Sequence, residues 1–255
     1  MSSLKIQSAS LTIADKLLYA DLSFQIERKE FWGLLGKNGA GKTSLIHCIA
    51  GLRSIDSGDV QLNEISVQDY SRAELAREIG ILFQDGLETL PATVMETVML
   101  GRHPHVQSMF KDSKDDLEIA RHALQQFALT ELSERQIDSL SGGEKQRVAI
   151  AMLIAQQPNF FLLDEPSNHL DIAFQFSILQ QLKAILSARN GSMLMATHDI
   201  NLAARFCDKI VLLLENGDYL CGDKMEILTP ENLSLAYGCE IRQLGEEGLA
   251  FFYPV

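Results

Sequence analysis

The chain has 255 residues and a formal net charge of −12, from 22 basic and 34 acidic side chains. This length allows one large domain with a buried core, and the hydrophobic content of 46% is ordinary for a globular protein. The acidic balance disfavours nucleic acid as a partner and general adhesion to anionic lipid, because both need clustered basic residues.

The chain offers no targeting or membrane signal. Its first ten residues lack an apolar core of signal-peptide length, and apolar runs such as 148–155 are too short to span a bilayer. We therefore expect a cytoplasmic protein, in which any membrane role needs another subunit. The four cysteines are scattered without a C-x-x-C pair, which is typical of reduced thiols.

The N-terminal part alternates apolar and polar positions. Over the first 27 residues this alternation predicts short antiparallel strands. FWGLLG at 31–36 predicts a buried strand that enters a glycine-rich turn, and a helix is expected from about Lys42 to Gly51. Further strands are predicted at 80–83, 160–164, 193–197 and 209–214, with helices at 172–189 and 199–206.

Strands that alternate with helices predict an α/β fold with a mostly parallel sheet covered on both faces. Residues 88–155 instead show helical periodicity, which predicts a helical insertion. The expected organisation is a single domain, 1–255, with its core in 1–87 and 156–255.

Two turn signals lie near the C-terminus. Asn216-Gly217 between apolar runs predicts a hairpin. Thr229-Pro230 predicts the N-cap and first residue of a helix.

The segment GKNGAGKT at 36–43 fits the phosphate-binding pattern G-x-x-x-x-G-K-[ST]. Glycines let backbone N–H groups point at phosphate oxygens, and the following helix adds the positive end of its dipole. In this pattern Lys42 reaches the β- and γ-phosphates and the Thr43 hydroxyl ligates Mg²⁺. The alternative is an ordinary glycine-rich turn, and the strand before it and helix after it argue against that.

Two carboxylates, Asp164 and Glu165, follow the predicted strand FFLLD. Ligands of open α/β sheets bind at this edge. Asp164 is expected to hold Mg²⁺, and Glu165 to polarise the attacking water as a general base. The alternative is a strand that ends in acidic residues without any function. The presence of a phosphate-binding loop in the same chain disfavours that alternative.

LSGGE at 140–144 precedes a helical run. Ser141 and Glu144 fit the capping box S-x-x-E, so an ordinary capped helix is one interpretation. The two glycines also leave the helix N-terminus open as a second anion site. One nucleotide does not need two such sites from one chain, which indicates that the second site serves a nucleotide held by another copy.

With these motifs together, the chain closely resembles the ABC ATPase family over nearly its whole length. LSGGE matches the family's signature, and the likeness extends to Gln84 as the Q-loop, 167–171 as the D-loop and His198 as the switch residue. In isolation, Gln84 could be a solvated strand end and His198 a surface residue. The resemblance implies a RecA-like P-loop core, an N-terminal antiparallel β subdomain, and a head-to-tail homodimer that sandwiches two ATP.

The resemblance also implies residue roles. The expected catalytic residues are Glu165, His198 and Gln84. Mg²⁺ is assigned to Thr43, Gln84 and Asp164. The expected nucleotide-binding residues are Gly36, Asn38, Gly39, Ala40, Gly41, Lys42, Thr43, Ser44, Ser141 and Gly143.

One position departs from the family pattern. The family usually places an aromatic residue near the N-terminus to stack on adenine, and that place falls on Ile13 in this chain. Tyr19 is better explained as a strand residue. Contact with an aliphatic side chain accepts adenine less tightly than aromatic stacking does.

The run VMLGRHPH at 98–105 resembles importer ATPases for iron–siderophores, haem and cobalamin, as do NHLDIAFQ at 168–175 and ILTPENL at 227–233. A helix end stopped by proline is the alternative for the first run. A metal site at His103 and His105 is disfavoured, because two histidines astride a proline lack further ligands.

The resemblance favours an ATPase subunit on the cytoplasmic side of the inner membrane. It would bind a permease dimer, which would be served indirectly by an extracytoplasmic substrate-binding protein. A soluble ABC protein that acts as an assembly scaffold or switch is the alternative. An ordinary P-loop kinase or GTPase leaves LSGGE unexplained.

Overall fold

The computed structural model describes residues 2–84, 87, 91–105, 113–166, 172–245 and 250–255. Its strands are β1 (Leu4–Ile13), β2 (Lys16–Ile26), β3 (Phe31–Leu35), β4 (Ser57–Leu62), β5 (Ile65–Ser66), β6 (Ile79–Leu82), β7 (Phe160–Asp164), β8 (Ser192–Ala196), β9 (Lys209–Leu213), β10 (Tyr219–Asp223), β11 (Ile241–Leu244) and β12 (Phe251–Pro254). The α-helices are α1 (Lys42–Ile49), α2 (Arg72–Glu78), α3 (Val94–Leu100), α4 (Lys114–Gln126), α5 (Gly142–Gln156), α6 (Ile172–Arg189), α7 (Ile200–Phe206), α8 (Lys224–Ile227) and α9 (Pro230–Tyr237).

The N-terminal strands form an antiparallel sheet in the order β2-β1-β4-β5. The prediction of antiparallel pairing is confirmed, but the prediction of short strands is wrong: β1 has 10 residues and β2 has 11. Register shifts interrupt their pairing, and Ser8 and Asp21 adopt positive φ. Such bulges let long strands bend while they remain paired. Strands β4 and β5 were not anticipated, so this sheet also draws on residues beyond α1.

The central sheet has the order β10-β9-β3-β8-β7-β6. Strands β9, β3, β8, β7 and β6 pair in parallel, and β10 pairs antiparallel with β9. This confirms the predicted α/β class and the mostly parallel sheet. Because consecutive side chains of a strand point to opposite faces, each buried strand contributes to two cores. Phe161 and Leu163 join the core on one face, and Phe160 and Leu162 join the core on the other.

The two cores differ in their partners. One packs α3, α4, α5, α6, α7 and α9 against the sheet, and the other packs α1 and the antiparallel sheet against it. Glycine is needed at one crossing of α3 and α5, since a Cβ on Gly101 would lie 2.2 Å from the carbonyl oxygen of Met152. Among the helices that the structure describes, none is both long and apolar enough to cross a membrane.

The described part of 88–155 contains α3, α4, most of α5, 3-10 turns and one isolated bridge between Thr93 and Gln136. Its predicted helical character is confirmed, whereas the boundaries 88 and 155 stay predictions. The Asn216-Gly217 hairpin is confirmed, with both residues at positive φ between β9 and β10. The helix signal is confirmed too, since Thr229 caps α9 and Pro230 begins it. The C-terminal hairpin of β11 and β12 was not anticipated.

The GRHPH segment has a structural use. Arg102 is 6% exposed, and its Nε donates to Oδ1 of Asp116 at 2.8 Å. Its Nη1 donates to the carbonyl oxygen of Ala155 at 2.7 Å. His105 Nε2 lies 2.8 Å from the carbonyl oxygen of Gln156. The segment therefore joins the end of α3 to α4 and to the last turn of α5.

Replacing Arg102 by alanine is expected to destabilise the fold by about 3 kcal/mol, because Asp116 and the Ala155 carbonyl would remain buried without this partner. Urea unfolding of wild type and variant measures the change. Arg121→Ala, on an exposed position of α4, is the matched control and should change the unfolding free energy little. A loss at Arg102 no larger than the control's would contradict the structural reading.

Candidate nucleotide-binding site

Most of the predicted site residues meet at one edge of the central sheet, whereas Ser141 and Gly143 lie at the start of α5. The loop 36–41 follows β3, His198 follows β8, Asp164 and Glu165 end β7, and Gln84 follows β6. Strands β3, β8, β7 and β6 are consecutive neighbours and run parallel. Their carboxyl ends therefore lie side by side, which is where open α/β sheets bind ligands.

The loop between β3 and α1 depends on glycine. Gly36, Gly39 and Gly41 have φ of 148°, 75° and 101°, which other residues rarely adopt. A Cβ on Gly36 would lie 3.0 Å from the Leu213 carbonyl oxygen, and one on Gly41 would lie 3.0 Å from Leu18 Cβ. The loop thus curls tightly into the N-terminus of α1, where backbone N–H groups and the helix dipole favour an anion.

Lys42 lies inside this curl. It is 7% exposed, and its Nζ donates to the carbonyl oxygen of Gly36 at 2.9 Å and to that of Lys37 at 3.3 Å. Burial lowers the pKa of Lys42, while the nearby carboxylates of Glu165 and Asp164 oppose that shift. An ammonium held by two carbonyls can exchange them for phosphate oxygens without leaving the loop.

Glu165 and His198 contact each other directly. Glu165 Oε2 lies 2.7 Å from His198 Nδ1, and the carboxylate side chain is 8% exposed while the imidazole is 63% exposed. Glu165 has a φ of 50°, and its N–H donates to the Ala196 carbonyl at 3.0 Å. The end of β7 is thereby fixed against β8, so the carboxylate stays at the pocket wall and the imidazole faces solvent.

A pocket of about 590 Å³ opens at this edge. This size is typical of small-molecule sites. Its lining residues are Ile13, Lys16, Leu18, Asn38, Gly39, Gly41, Lys42, Thr43, Ser44, Gln84 and Glu165. The sequence motifs did not predict Lys16 and Leu18 as lining residues, because both belong to β2 and no motif contains them. The alternating pattern of β2 indicates only that their side chains lie on the same face of the strand.

The pocket also brings together oxygen donors that suit Mg²⁺. Thr43 and Gln84 line it, and Asp164 does not line it but is buried next to Glu165 at the end of β7, where it is 2% exposed. Across the described residues there is no group of three or more His, Cys, Asp and Glu that could hold a metal alone. Mg²⁺ commonly binds through one or two carboxylates together with substrate phosphates. These donors therefore fit a metal that arrives with a nucleotide.

LSGGE lies at the start of α5. The backbone N–H of Ser141 donates to Glu144 Oε2 at 2.8 Å, and Glu144 N–H donates back to Ser141 Oγ at 3.4 Å. The predicted capping box is therefore present. Ser141 and Gly142 are exposed, and a Cβ on Gly142 would lie within 4 Å of no described residue outside its own helix turn.

The structure does not bring Ser141 and Gly143 into the 590 Å³ pocket of the same chain. The helix instead contacts the segment that follows the acidic pair. Gln146 Nε2 donates to the carbonyl oxygen of Pro166, the residue after Glu165, at 2.9 Å. The predicted D-loop, 167–171, lies outside the described residues.

Ile13, at the position where an aromatic residue was expected, lines the pocket. Tyr19 does not, since it is fully buried and its hydroxyl lies 3.6 Å from Cys48 Sγ. This confirms Tyr19 as a strand residue. The part of the pocket next to the β1–β2 hairpin is therefore lined by the aliphatic side chains of Ile13 and Leu18.

Replacing Ile13 by tyrosine is expected to lower the Kd for ATP by about three- to tenfold, as aromatic contacts add roughly 0.5–1.5 kcal/mol beyond area burial. Isothermal titration with the nucleotide measures the change. Ile65→Tyr is a control, because Ile65 is 51% exposed in β5 and does not line the pocket. An unchanged Kd at Ile13 would show that the base lies elsewhere.

Comparisons with known proteins agree with this geometry. The family model "ABC transporter" matches residues 19–168. The iron(3+)-hydroxamate import ATP-binding protein FhuC of Bacillus subtilis is 33% identical, over 93% of this chain and 88% of its own length. The hemin import ATP-binding protein HmuV of Pseudomonas fluorescens is 35% identical, over 93% of both chains. A solved structure described as an inward-facing metal-chelate type ABC transporter superposes with a TM-score of 0.86 at 27% identity, covering 100% of this chain and 98% of its own.

More than half of the chain matches the family model, and relatives above 30% identity align along most of their length. The matched segment runs from the buried strand residue Tyr19 through the phosphate-binding loop, LSGGE and the acidic pair. The chain therefore belongs to the ABC transporter family, as an ATP-binding ATPase.

Proposed function

We propose that the chain powers an importer of a metal chelate, namely an iron–siderophore, haem or cobalamin. Support comes from relatives named as import ATP-binding proteins for iron(3+)-hydroxamate and hemin, and from one named as a ferric enterobactin transport ATP-binding protein. In this proposal two copies form a head-to-tail homodimer on a transmembrane permease dimer, on the cytoplasmic side of the membrane. A substrate-binding protein delivers the chelate to the permease from the other side. These relatives give no support to a soluble scaffold or switch.

The observation that carries the dimer is the position of Ser141 and Gly143. Ser141 caps an exposed helix N-terminus that favours an anion and Gly143 lies in the first turn of that helix, yet neither is part of the pocket that contains Lys42 and Glu165. A second copy turned head to tail can place this N-terminus over the first copy's nucleotide. Each of the two sites is then built from both chains, and neither chain completes one alone.

The domain organisation is part of the same proposal. Residues 1–87 and 156–255 form the core that holds the nucleotide, and 88–155 form the helical part that presents LSGGE. The permease contacts the surface between Gln84 and this helical part. Closure of the dimer around ATP and its reopening after hydrolysis then move the permease between outward and inward states.

The residues of one chain act on ATP in distinct ways. Lys42 and the backbone of 36–44 bind the β- and γ-phosphates and compensate their charge. Glu165 accepts a proton from the attacking water, and His198 orients that carboxylate and reaches the γ-phosphate. Thr43, Gln84 and Asp164 would hold Mg²⁺, which supplies charge neutralisation of the phosphates when bound.

Replacing Ser141 by arginine is expected to block closure of the dimer. The bulky cation removes the cap of α5 and fills the space that a partner's phosphates need. ATPase activity should fall at least tenfold, while the Kd for ATP stays within about twofold, because the pocket of the same chain is untouched. Steady-state hydrolysis and nucleotide titration measure the two quantities. An equal loss of nucleotide binding would contradict a role in trans.

Transport itself is tested by reconstituting the chain with its permease in proteoliposomes. ATP hydrolysis should rise when the cognate binding protein is added with its chelate, and the chelate should accumulate in the compartment that contains the ATPase. Hydrolysis that ignores permease and binding protein would favour the soluble alternative.

A further inference from the structure

A lysine that belongs to none of the motifs stands at the tip of the β1–β2 hairpin. Ile13 and Lys16 are directly paired across a two-residue turn, in which Ala14 and Asp15 have φ of 47° and 64°. Residues paired in this way carry their side chains on the same face of the two strands. The hairpin that presents Ile13 to the pocket therefore presents Lys16 beside it.

Lys16 contacts the phosphate-binding loop. Its Nζ donates to the carbonyl oxygen of Gly39 at 2.9 Å, and the side chain lines the same pocket as Lys42 and Thr43. Among the described residues other than its two chain neighbours, a Cβ on Gly39 would meet only Lys16 Nζ within 4 Å, at 3.9 Å. The ammonium is therefore the group that lies over this open glycine. An ammonium has three N–H donors, so the bond to Gly39 leaves two.

The charge of Lys16 is available to a ligand. No carboxylate of the described residues lies within ion-pair distance of it, whereas the neighbouring Lys37 forms an ion pair with Glu215 at 2.6 Å. The hydrogen bond from Lys37 is the largest cause that lowers the pKa of Glu215, and the charge of Lys16 is a smaller one. Lys37 does not line the pocket and is paired within the chain, whereas Lys16 lines the pocket and has no such partner among the described residues.

We propose that Lys16 is a nucleotide-binding residue that contacts the phosphate chain of the bound nucleotide from the hairpin side, opposite Lys42. This deepens the proposed function, since it rests on the same nucleotide site. The aliphatic side chain of Ile13 contacts a base less favourably than an aromatic ring would. The ammonium of Lys16 beside it therefore makes the phosphates contribute a larger share of the nucleotide's binding energy. Affinity then depends more on charge, and less on the identity of the base.

The experiment compares Lys16→Gln, Lys16→Arg and Lys29→Gln. Lys29→Gln is the matched control, because Lys29 is exposed in the turn after β2 and does not line the pocket. The substitution changes the net charge by the same amount as Lys16→Gln. ADP is the probe, since it is not consumed during titration, and adenosine tests the base and ribose alone. We expect Lys16→Gln to raise the Kd for ADP roughly tenfold, as a charge-assisted hydrogen bond to phosphate is lost. Lys16→Arg should stay within about threefold of wild type, and Lys29→Gln within about twofold.

The salt dependence of ADP binding distinguishes a direct contact of Lys16 with phosphate from a role in which Lys16 only holds the loop in place. A direct contact predicts that added salt weakens ADP binding less in Lys16→Gln than in wild type, and that adenosine binds both equally. A raised Kd for ADP with an unchanged salt dependence, or an equal loss for adenosine, would show that Lys16 acts on the loop or the base and would overturn the proposal. So would a Lys16→Gln protein that binds ADP as wild type does. Wild type that fails to bind ADP would instead contradict the proposed function.

Discussion

Replacing Glu165 by glutamine is expected to lower the steady-state rate of ATP hydrolysis at least about hundredfold and to leave ATP binding intact. The amide cannot accept a proton from the attacking water, yet it has the same size and can keep the unusual backbone, with φ at 50°. The Glu165 side chain is buried, with Oε2 at 2.7 Å from His198 Nδ1, so few other side chains can accept the proton at this position. Phosphate release measures hydrolysis, and titration measures binding.

The control for this variant is Glu231→Gln, which makes the same change of carboxylate to amide on the exposed first turn of α9. It should hydrolyse ATP at the wild-type rate. Retention of more than a tenth of the wild-type rate by the Glu165 variant would mean that another group takes the proton, and the assignment of the general base would be wrong.

Replacing Lys42 by alanine should reduce hydrolysis by roughly 10²–10³-fold and weaken ATP binding, because the substitution removes the cation held within the loop. Loss of folding is not the expected cause. Burial already lowers the pKa of Lys42, so the buried charge costs free energy in the absence of phosphate. Thermal unfolding without nucleotide should therefore be little changed, and the gain in stability on adding ATP should shrink.

Lys37→Ala is the matched control for Lys42, since it is another lysine of the same loop whose side chain is partly exposed and paired with Glu215. It should keep most of the activity. Equal losses in the two variants would indicate that the total positive charge of the loop matters rather than the position of Lys42, and the specific role of Lys42 would fail.

Much of the fold could be predicted from the sequence because the strands of the central sheet are buried on both faces. FWGLL, FFLL and MLMA are continuous apolar runs, and such runs predict parallel strands wherever helices separate them. The lengths of β1 and β2 were not readable. Each is interrupted by register shifts, so that its alternation breaks and looks like several short strands. Strand β4 is too polar, and β5 with two residues is too short, to stand out as a continuation of that sheet.

The site was readable where a motif lies on one local segment. The loop 36–43 and the pair Asp164 and Glu165 carry their chemistry in consecutive residues, so their place at strand ends could be predicted. Lys16 could not be found in this way, because its contact with Gly39 joins two segments 23 residues apart. That contact depends on the register of the β1–β2 hairpin, which the pattern of residues leaves open.

The central claim is that two copies build each site between them, and the mass of the Glu165→Gln protein in solution tests it most directly. With saturating ATP and Mg²⁺, light scattering after gel filtration should give the mass of two chains, and the mass of one chain without nucleotide. Adding Ser141→Arg to this variant should return it to one chain while ATP still binds. The claim is contradicted if Glu165→Gln stays at one chain under these conditions while wild type hydrolyses ATP, or if the double variant dimerises equally well.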